Sequence, residues 1–391
     1  MTMHQPITGT ASAIRLSATI ELAEFRRAAR IASSVIERRN TIPVLGYAHL
    51  GVSKGTVTLC ATDLDSYFTT LVEANTAGEG TVLISGRMLS AFAAAATGPV
   101  TIEVQQAEKG PDMVVLRDGD LVLRAHELIQ TADFPKQFGF DDSPAATWTM
   151  MQDGLLRMIR LCEHCISREE TRYYLQGIFL HQKPGGDTLR AVATDGHRLA
   201  CIDSTDSVDL SSHDQRGVIV PRTLIAKMKP LLGKGGNEPV TITVQRHKIR
   251  IATGAVEVMA KTIDGKYPDY SRVIPEPSDR IAATLSRDIL QRLTRAATGL
   301  DGVKNVRIAA KFDPKAGRIS AGRHDGEVSL PASISASDPG AVEPFGLDLS
   351  YLRDQVRVTP VFSLRGQRAG DPFRIYGEDP DALFILMPMR V

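Results

Sequence analysis

Cys162-Glu163-His164-Cys165 is a stretch whose residue types could carry chemistry: two thiols three positions apart with an imidazole between them. A redox pair would need to sit at a helix start after a strand, where the local field lowers a thiol pKa. Here it falls near the end of an amphipathic run formed by Leu155, Met158, Ile159 and Cys162, so helix packing is the expectation. A zinc site would need more ligands at suitable spacing, and no second C-x-x-C exists. Asp195 and His197 have the types for acid–base work, but they alternate along a turn with no obvious nucleophile beside them. Gly233-Lys234-Gly235-Gly236 follows a helical run rather than opening one, lacks phosphate-loop spacing, and reads as a turn. No catalytic residue, metal ligand or cofactor is therefore expected, and an enzyme working through metal or thiol is the reading set aside.

A second kind of chemistry lies in paired arginines. Arg26 and Arg30 share a helix face at i,i+4; Arg157 with Arg160, and Arg292 with Arg295, do so at i,i+3. Such pairs can meet phosphates, or simply form the solvated face of an amphipathic helix, and the pattern alone allows both. Lys227, Lys229, Arg353 and Arg357 add charge on later helical runs, whereas Arg87 to Ala96 is nearly devoid of basic groups. The chain carries 46 Lys+Arg against 45 Asp+Glu, a net charge of +1. Total charge thus neither argues for nucleic acid nor excludes it; any basic surface must come from arrangement.

The elements that must position these residues recur along the chain. At roughly 100–200 residues per domain, the length suggests two to four domains, and 43% apolar with 23% charged residues suits a soluble, well-cored protein. The four cysteines are too few for a disulfide scaffold. No apolar run approaches the ~20 residues of a membrane span. The polar start, Met1 to Ala13, has no secretory pattern, so a cytoplasmic protein with a disordered extension over residues 1–15 is expected. After it, one order of elements returns at a period of roughly 130 residues. Each repeat is expected to open with an amphipathic helix: Leu22 to Ile36, Leu155 to Cys162, Ile289 to Ala297. A strand pair follows: Tyr47–Val52 with Thr56–Ala61, Gly177–His181 with Leu189–Ala193, Val306–Phe312 with Arg318–Ala321. Then come an alternating stretch, a strand with a second helix (Ser350 being a plausible N-cap in the third repeat), and two or three closing strands. Asp118-Gly119 is a hairpin signal in the first repeat. Three α+β domains of one fold result, over 16–140, 141–276 and 277–391.

Several stretches resemble the β subunit of bacterial DNA polymerase III, the sliding clamp. They are Arg39-Asn40-Thr41-Ile42-Pro43-Val44-Leu45, Arg172-Tyr173-Tyr174-Leu175, Ala191-Val192-Ala193-Thr194-Asp195-Gly196-His197-Arg198-Leu199-Ala200, Val218-Ile219-Val220-Pro221-Arg222, Asp264-Gly265-Lys266-Tyr267-Pro268-Asp269-Tyr270 and Leu386-Met387-Pro388-Met389-Arg390-Val391. They stand in the family's order and spacing, from about Leu16 to the end. The resemblance implies a non-catalytic processivity factor, a head-to-tail homodimer whose helices line a central hole and whose antiparallel sheets lie outside. It implies sequence-independent contact with duplex DNA in the nucleoid, through the three arginine pairs and through Arg39, Arg172, Tyr173 and Tyr174. A docking pocket between the second and third domains is implied at Leu175, Thr194, Gly196, His197, Arg198, Leu199, Pro268, Arg272, Val273, Ser350, Met387, Pro388, Met389 and Arg390. Its expected partners are the polymerase α subunit, the clamp loader δ subunit and other proteins with a short motif of a polar residue followed by leucines or an aromatic. Methionine and leucine walls adapt to different side chains, and arginines can hold a peptide's polar groups.

The resemblance thins in the third repeat, where Gly322-Arg323-His324-Asp325-Gly326 replaces the usual polar turn. At the implied dimer contact, Leu123 and Ala125 would face Thr298 and Gly299, where the family has large apolar side chains. At about 25 cal/mol per Å² of lost apolar burial, that contact would be weakened. The alternative expectation is thus a clamp-like monomer that binds clamp partners as a regulatory module without encircling DNA.

Overall fold

The computed structural model describes residues 13–36, 41–107, 110–126, 128–211, 217–233, 235–298, 308–323, 326–337 and 343–390. The first repeat runs β1 (Ile14–Ile20), α1 (Leu22–Val35), β2 (Tyr47–Ser53), β3 (Thr56–Thr62), β4 (Ser66–Glu73), β5 (Asn75–Ala77), β6 (Gly80–Ser85), α2 (Gly86–Ala95), β7 (Val100–Gln105), β8 (Met113–Asp118) and β9 (Leu121–His126). The second runs β10 (Ala146–Met151), α3 (Gln152–Cys162), β11 (Gly177–Gln182), β12 (Thr188–Thr194), β13 (Arg198–Ser207), β14 (Gly217–Pro221), α4 (Arg222–Leu232), β15 (Pro239–Gln245), β16 (Lys248–Thr253) and β17 (Val256–Lys261). The third runs β18 (Ile281–Ser286), α5 (Arg287–Thr298), β19 (Ala309–Asp313), β20 (Arg318–Arg323), β21 (Gly326–Pro331), β22 (Ser333–Ala336), β23 (Phe345–Asp348), α6 (Leu349–Val358), β24 (Val361–Gly366), β25 (Phe373–Tyr376) and β26 (Ala382–Leu386).

The helices form where the apolar spacing placed them. α1 buries Phe25, Ala28, Ala29, Ile31, Ala32 and Val35 along one face, and α3 buries Leu155, Leu156, Met158, Ile159 and Cys162. Each repeat nevertheless opens with a strand, not a helix, which corrects the expectation. In β10 the buried residues Ala146, Trp148 and Met150 alternate with exposed Thr147, Thr149 and Met151. Threonines and methionine on the outer face blur the period-two signal that would announce a strand. Ile14 and Arg15 already belong to β1, so the expected extension ends earlier than residue 15. The hairpin between β8 and β9 pairs Asp118 with Leu121, which makes Gly119 and Asp120 its loop, with Gly119 at φ +55°. Asp348, not Ser350, caps α6: its carboxylate accepts from the Ser350 amide at 2.8 Å and from the Ser350 hydroxyl at 2.6 Å.

Two compact units divide the chain: Met1–Met151 with Ala226–Lys261, and Gln152–Ile225 with Thr262–Val391. The division cuts the middle repeat because its strands join its neighbours' sheets. In one unit β17 pairs with β4, completing an eight-stranded sheet in the order β10-β15-β16-β17-β4-β3-β2-β6. In the other, β13 pairs with β26 in a nine-stranded sheet, β14-β11-β12-β13-β26-β25-β24-β18-β22. A five-stranded sheet, β5-β1-β7-β8-β9, completes the first unit; a four-stranded one, β21-β20-β19-β23, completes the second. Aromatic side chains fill both cores. Phe25 meets Phe92 edge to face at 6.3 Å, and Phe345 stacks on Phe312 at 4.8 Å and on Phe373 at 4.6 Å.

Gly177, the first residue of β11, shows how closely strands approach. A Cβ there would stand 2.3 Å from the carbonyl oxygen of Val220 on β14. Backbone cannot swing aside as a side-chain tip can, so Gly177→Ala is expected to destabilise its unit by about 1–3 kcal/mol. Urea titration followed by circular dichroism checks this; an unchanged midpoint would contradict it.

Candidate functional site

The Thr194–Arg198 loop joins β12 to β13, and its own side chains close it. The Thr194 hydroxyl donates to the Arg198 carbonyl at 2.7 Å and accepts from the Gly196 amide at 3.1 Å. The Asp195 carboxylate accepts from the amides of His197 at 2.9 Å and Arg198 at 3.0 Å. Gly196 sits at φ +88°, in the left-handed region that favours glycine. A Cβ there would also stand 2.8 Å from an Arg172 guanidinium nitrogen.

Sheet pairing brings the C-terminal segment to this loop. Leu199 lies opposite Ile385 in the β13–β26 register. The chain then continues so that the Met387 amide donates to the His197 carbonyl at 2.8 Å and the Met389 amide to Gly346 at 2.9 Å. Beneath the loop, Leu175 and Leu199 are buried with Val192, Tyr267, Tyr270 and Ile385. The turn Tyr270–Val273, capped by Asp269, roots Tyr270 in that cluster and leaves Arg272 and Val273 exposed. Gly196, His197, Pro268, Met387 and Arg390 are exposed; Thr194, Arg198, Ser350, Pro388 and Met389 are half-buried.

Arg198 is the best-held charge of the group. Its Nε pairs with Asp195 at 2.9 Å, one Nη pairs with Asp354 at 3.1 Å, and its guanidinium lies 4.3 Å from the Tyr351 ring centre. His197 stacks on the same tyrosine at 6.3 Å. Tyr351 and Asp354, both on α6, escaped the sequence reading; their i,i+3 spacing after Asp348 is the signal that could have found them. Exposed Val273 and Met387 and half-buried Met389 thus stand beside a buried cluster that includes Leu175 and Leu199. A separate cleft of about 640 Å³ in the first unit lies between the end of α1 and the start of α2, near Ile36, Ile42 and Arg87.

The other expected residues are spread more widely. Arg30 and Arg160 are exposed. Arg26, also exposed, donates to the Ala93 and Ala96 carbonyls at 3.0 and 2.8 Å, so it caps the end of α2. Arg157 departs from the expected solvated pair. Its Nε donates to Asp379 at 2.6 Å and one Nη donates to the Asp203 carbonyl at 3.0 Å, because that face of α3 meets the β25–β26 turn. Arg292 stands 3.7 Å from Asp288, and Arg295 is exposed. Arg172 pairs with Glu169 at 3.1 Å; beside it Tyr173 is 53% exposed while Tyr174 packs on the core cluster. These residues lie in a 3-10 turn, Glu170–Leu175. Leu123 and Ala125 are half-buried on β9, an edge strand. Arg39, Gly299 and the Thr298 side chain lie outside the described residues.

Cys162 and Cys165 are buried, and burial pushes both thiols up in pKa, opposite to what a reactive pair needs. Among the described residues no group of three His, Cys, Asp or Glu side chains could hold a metal ion. No described helix is long and apolar enough to cross a membrane.

Residues 16–133 match the family described as DNA polymerase III beta subunit, N-terminal domain, and residues 149–269 match its central domain. The beta sliding clamp of Caulobacter vibrioides is 32% identical over 95% of this chain and 99% of its own length. That of Pseudomonas aeruginosa is 28% identical over the same shares. Among solved structures, a Caulobacter crescentus beta sliding clamp superposes with a TM-score of 0.82 at 28% identity, covering 96% of this chain and 99% of that one. A Bartonella birtlesii sliding clamp, solved bound to griselimycin, superposes at 0.83 with 25% identity, covering 96% and 100%. Fold and matches together define the class, a sliding clamp of DNA replication. The chain belongs to the DNA polymerase III β subunit family.

A histidine lies near the Thr194–Arg198 loop. His164 faces Gln355 at 3.1 Å and the Cys165 thiol at 3.4 Å, and among the described residues its Nδ1 has no hydrogen-bond partner. Burial, with the charge of Arg198, lowers its pKa to about 4; burial likewise lowers His181 to about 4. Both are neutral in the folded chain, whereas unfolded histidine titrates near 6.5. Between those values the unfolded state binds more protons, so stability falls as pH drops from about 6.5 towards 4. Each histidine contributes up to about 1.4 kcal/mol per pH unit. His164→Gln is expected to flatten that acid-side loss in a pH series of urea titrations; a slope equal to wild type would contradict it.

Proposed function

We propose that this chain closes head to tail with a second copy of itself into a ring around duplex DNA. The ring slides, tethers the replicative polymerase, and offers its docking site to other replication and repair proteins. A pair of sheet edges carries the reading. Among the described residues, β9 ends the five-stranded sheet and β21 ends the four-stranded sheet, each with one side unpaired. Unpaired edges invite further strands, and proteins normally cover them. An edge at each end of the repeat series suits a head-to-tail contact that closes on itself. Leu123 and Ala125 on β9 then meet Thr298 and Gly299 of the second copy, through a modest apolar area.

In this reading the chain holds three clamp domains, 16–140, 141–276 and 277–391. Arg26, Arg30, Arg39, Arg160, Arg292 and Arg295 meet phosphates without reading bases, as sliding requires. Arg172 and the exposed Tyr173 suit a single-strand junction, where a base can stack; Arg157 shares its helix face with Arg160 while also holding Asp379. The site around Leu175, Leu199 and Met387 takes the apolar residues of a partner's motif, with Arg272 and Arg390 on its polar groups. The polymerase α subunit and the clamp loader δ subunit are the partners proposed, in the cytoplasm at the nucleoid.

Light scattering across a dilution series tests closure. A mass near twice 42.4 kDa, with retention on circular DNA and release on linearising it, is the expected result. A mass near 42.4 kDa throughout, with peptide binding but no retention, would replace the ring with the monomeric regulatory module.

A further inference from the structure

We infer that Asp354 makes the second-unit loop a docking pocket by fixing Arg198, and that the matching loop of the first repeat is closed because a lysine occupies the equivalent position. The inference rests on the docking reading above.

Thr62-Asp63-Leu64-Asp65-Ser66 joins β3 to β4 as Thr194–Arg198 joins β12 to β13. The hydrogen bonds repeat. The Thr62 hydroxyl donates to the Ser66 carbonyl at 2.9 Å and accepts from the Leu64 amide at 3.0 Å. Asp63 accepts from the Ser66 amide at 2.8 Å. Leu64 holds φ +75°, where Gly196 holds +88°; a leucine kept in that region marks a loop its surroundings over-determine. The Lys261 amide donates to Asp65 at 2.9 Å, as the Met387 amide does to His197 at 2.8 Å.

With backbone and bonds shared, the side chains account for the difference. Ser66 stands where Arg198 stands. The sixth residue of α4 is Lys227, and the sixth of α6 is Asp354. Lys227 reaches Asp63 directly and lies 3.4 Å from the Ser66 hydroxyl. Burial works against ionisation of Asp63, but Lys227 and Ser66 outweigh it and hold the carboxyl below its usual range. Lys261, at the place of Met387, pairs with Asp65 at 3.0 Å and lies over the Phe138 ring. Cations thus fill the first-repeat loop and no methionine wall remains.

In the second unit the opposite sign at the sixth position holds a guanidinium between two carboxylates. Asp354 is itself steadied by Arg357 at 3.4 Å. Among the described residues the second amino group of Arg198 has no hydrogen-bond partner, so a pre-oriented donor is left for the incoming peptide. Asp354 is a positioning residue in this scheme.

The test uses the full chain and a fluorescent synthetic peptide in which a glutamine is followed by leucines and a phenylalanine, read by anisotropy. Asp354→Asn is expected to weaken binding about tenfold, the loss of a charged hydrogen bond. Asp354→Glu, which keeps the charge, stays within about threefold of wild type. The double variant Arg198→Ser with Asp354→Lys copies the first repeat. It is expected to melt near wild type, because the introduced lysine can pair with Asp195, yet to bind at least about tenfold more weakly. Wild type takes one peptide per chain. Wild-type affinity in Asp354→Asn or in the folded double variant would overturn the inference, as would two peptides per chain. Should the double variant not fold, the Asn and Glu variants decide alone. A wild type that binds no peptide would refute the docking reading, and the inference with it.

Discussion

The antiparallel pairing of β13 with β26 is the contact on which the candidate docking site depends. It sets Arg198 opposite Leu386 and Leu199 opposite Ile385. A slip of one residue would turn every side chain of the strand to the other face. Leu199 would leave the cluster it shares with Leu175, Tyr267 and Tyr270, and the Met387 amide would lose the His197 carbonyl. The two strands come from distant parts of the chain, so the site is absent until both have folded. It stands at the ends of two paired strands in the middle of a large sheet rather than on a free-standing loop, and the ladder sets its position.

Partly buried polar groups position the neighbouring turn. Arg190 holds Asp203 through two nitrogens at 2.6 and 2.9 Å and reaches the Tyr270 hydroxyl at 3.4 Å. His181 meets the same hydroxyl at 3.0 Å. Tyr270 begins the short turn that displays Arg272 and Val273, so a network of matched donors and acceptors fixes where those exposed residues stand. Elsewhere too, arginines that look alike in sequence have different work. Arg26 is exposed yet donates to two backbone carbonyls, Arg157 holds a carboxylate and a carbonyl, and Arg30 and Arg160 are exposed. With a net charge of +1, local placement decides what the surface attracts.

Sequence showed the repeat plan because apolar spacing on α1, α3 and α5 reports burial directly; the stretches expected to alternate do not, since Leu199 to Ile202 are all buried in β13 and Ser66 to Phe68 in β4. It missed β1, where Arg15, Ser17 and Thr19 alternate with buried Leu16, Ala18 and Ile20 and would have announced a strand, and it missed β10 and β18, whose outward Met151 and Ala282 blur the alternation. The Thr194–Arg198 loop was picked out by its resemblance to the family, while its residue types taken alone announced only a turn, which its self-bonded threonine and aspartate then explain. Its relation to Asp354 and Tyr351 was not legible: those residues sit more than 150 positions away, and only folding shows that their helix faces Arg198. The fate of Arg157 was hidden for the same reason, since Asp379 lies 222 residues on. Local rules predict a helix face; they do not name the acid that will come to cover it.

The placement of a few uncommon residues makes the chain its own reporter of cooperativity. Its single tryptophan, Trp148, is buried in β10 and belongs to the first compact unit. The buried thiols Cys162, Cys165 and Cys201 all belong to the second. Indole fluorescence therefore follows one unit, and the rate at which those thiols become open to alkylation follows the other. Where the two signals move together, the chain melts as one body; where they separate, the middle repeat has been pulled apart along the line at which its strands were lent to its neighbours.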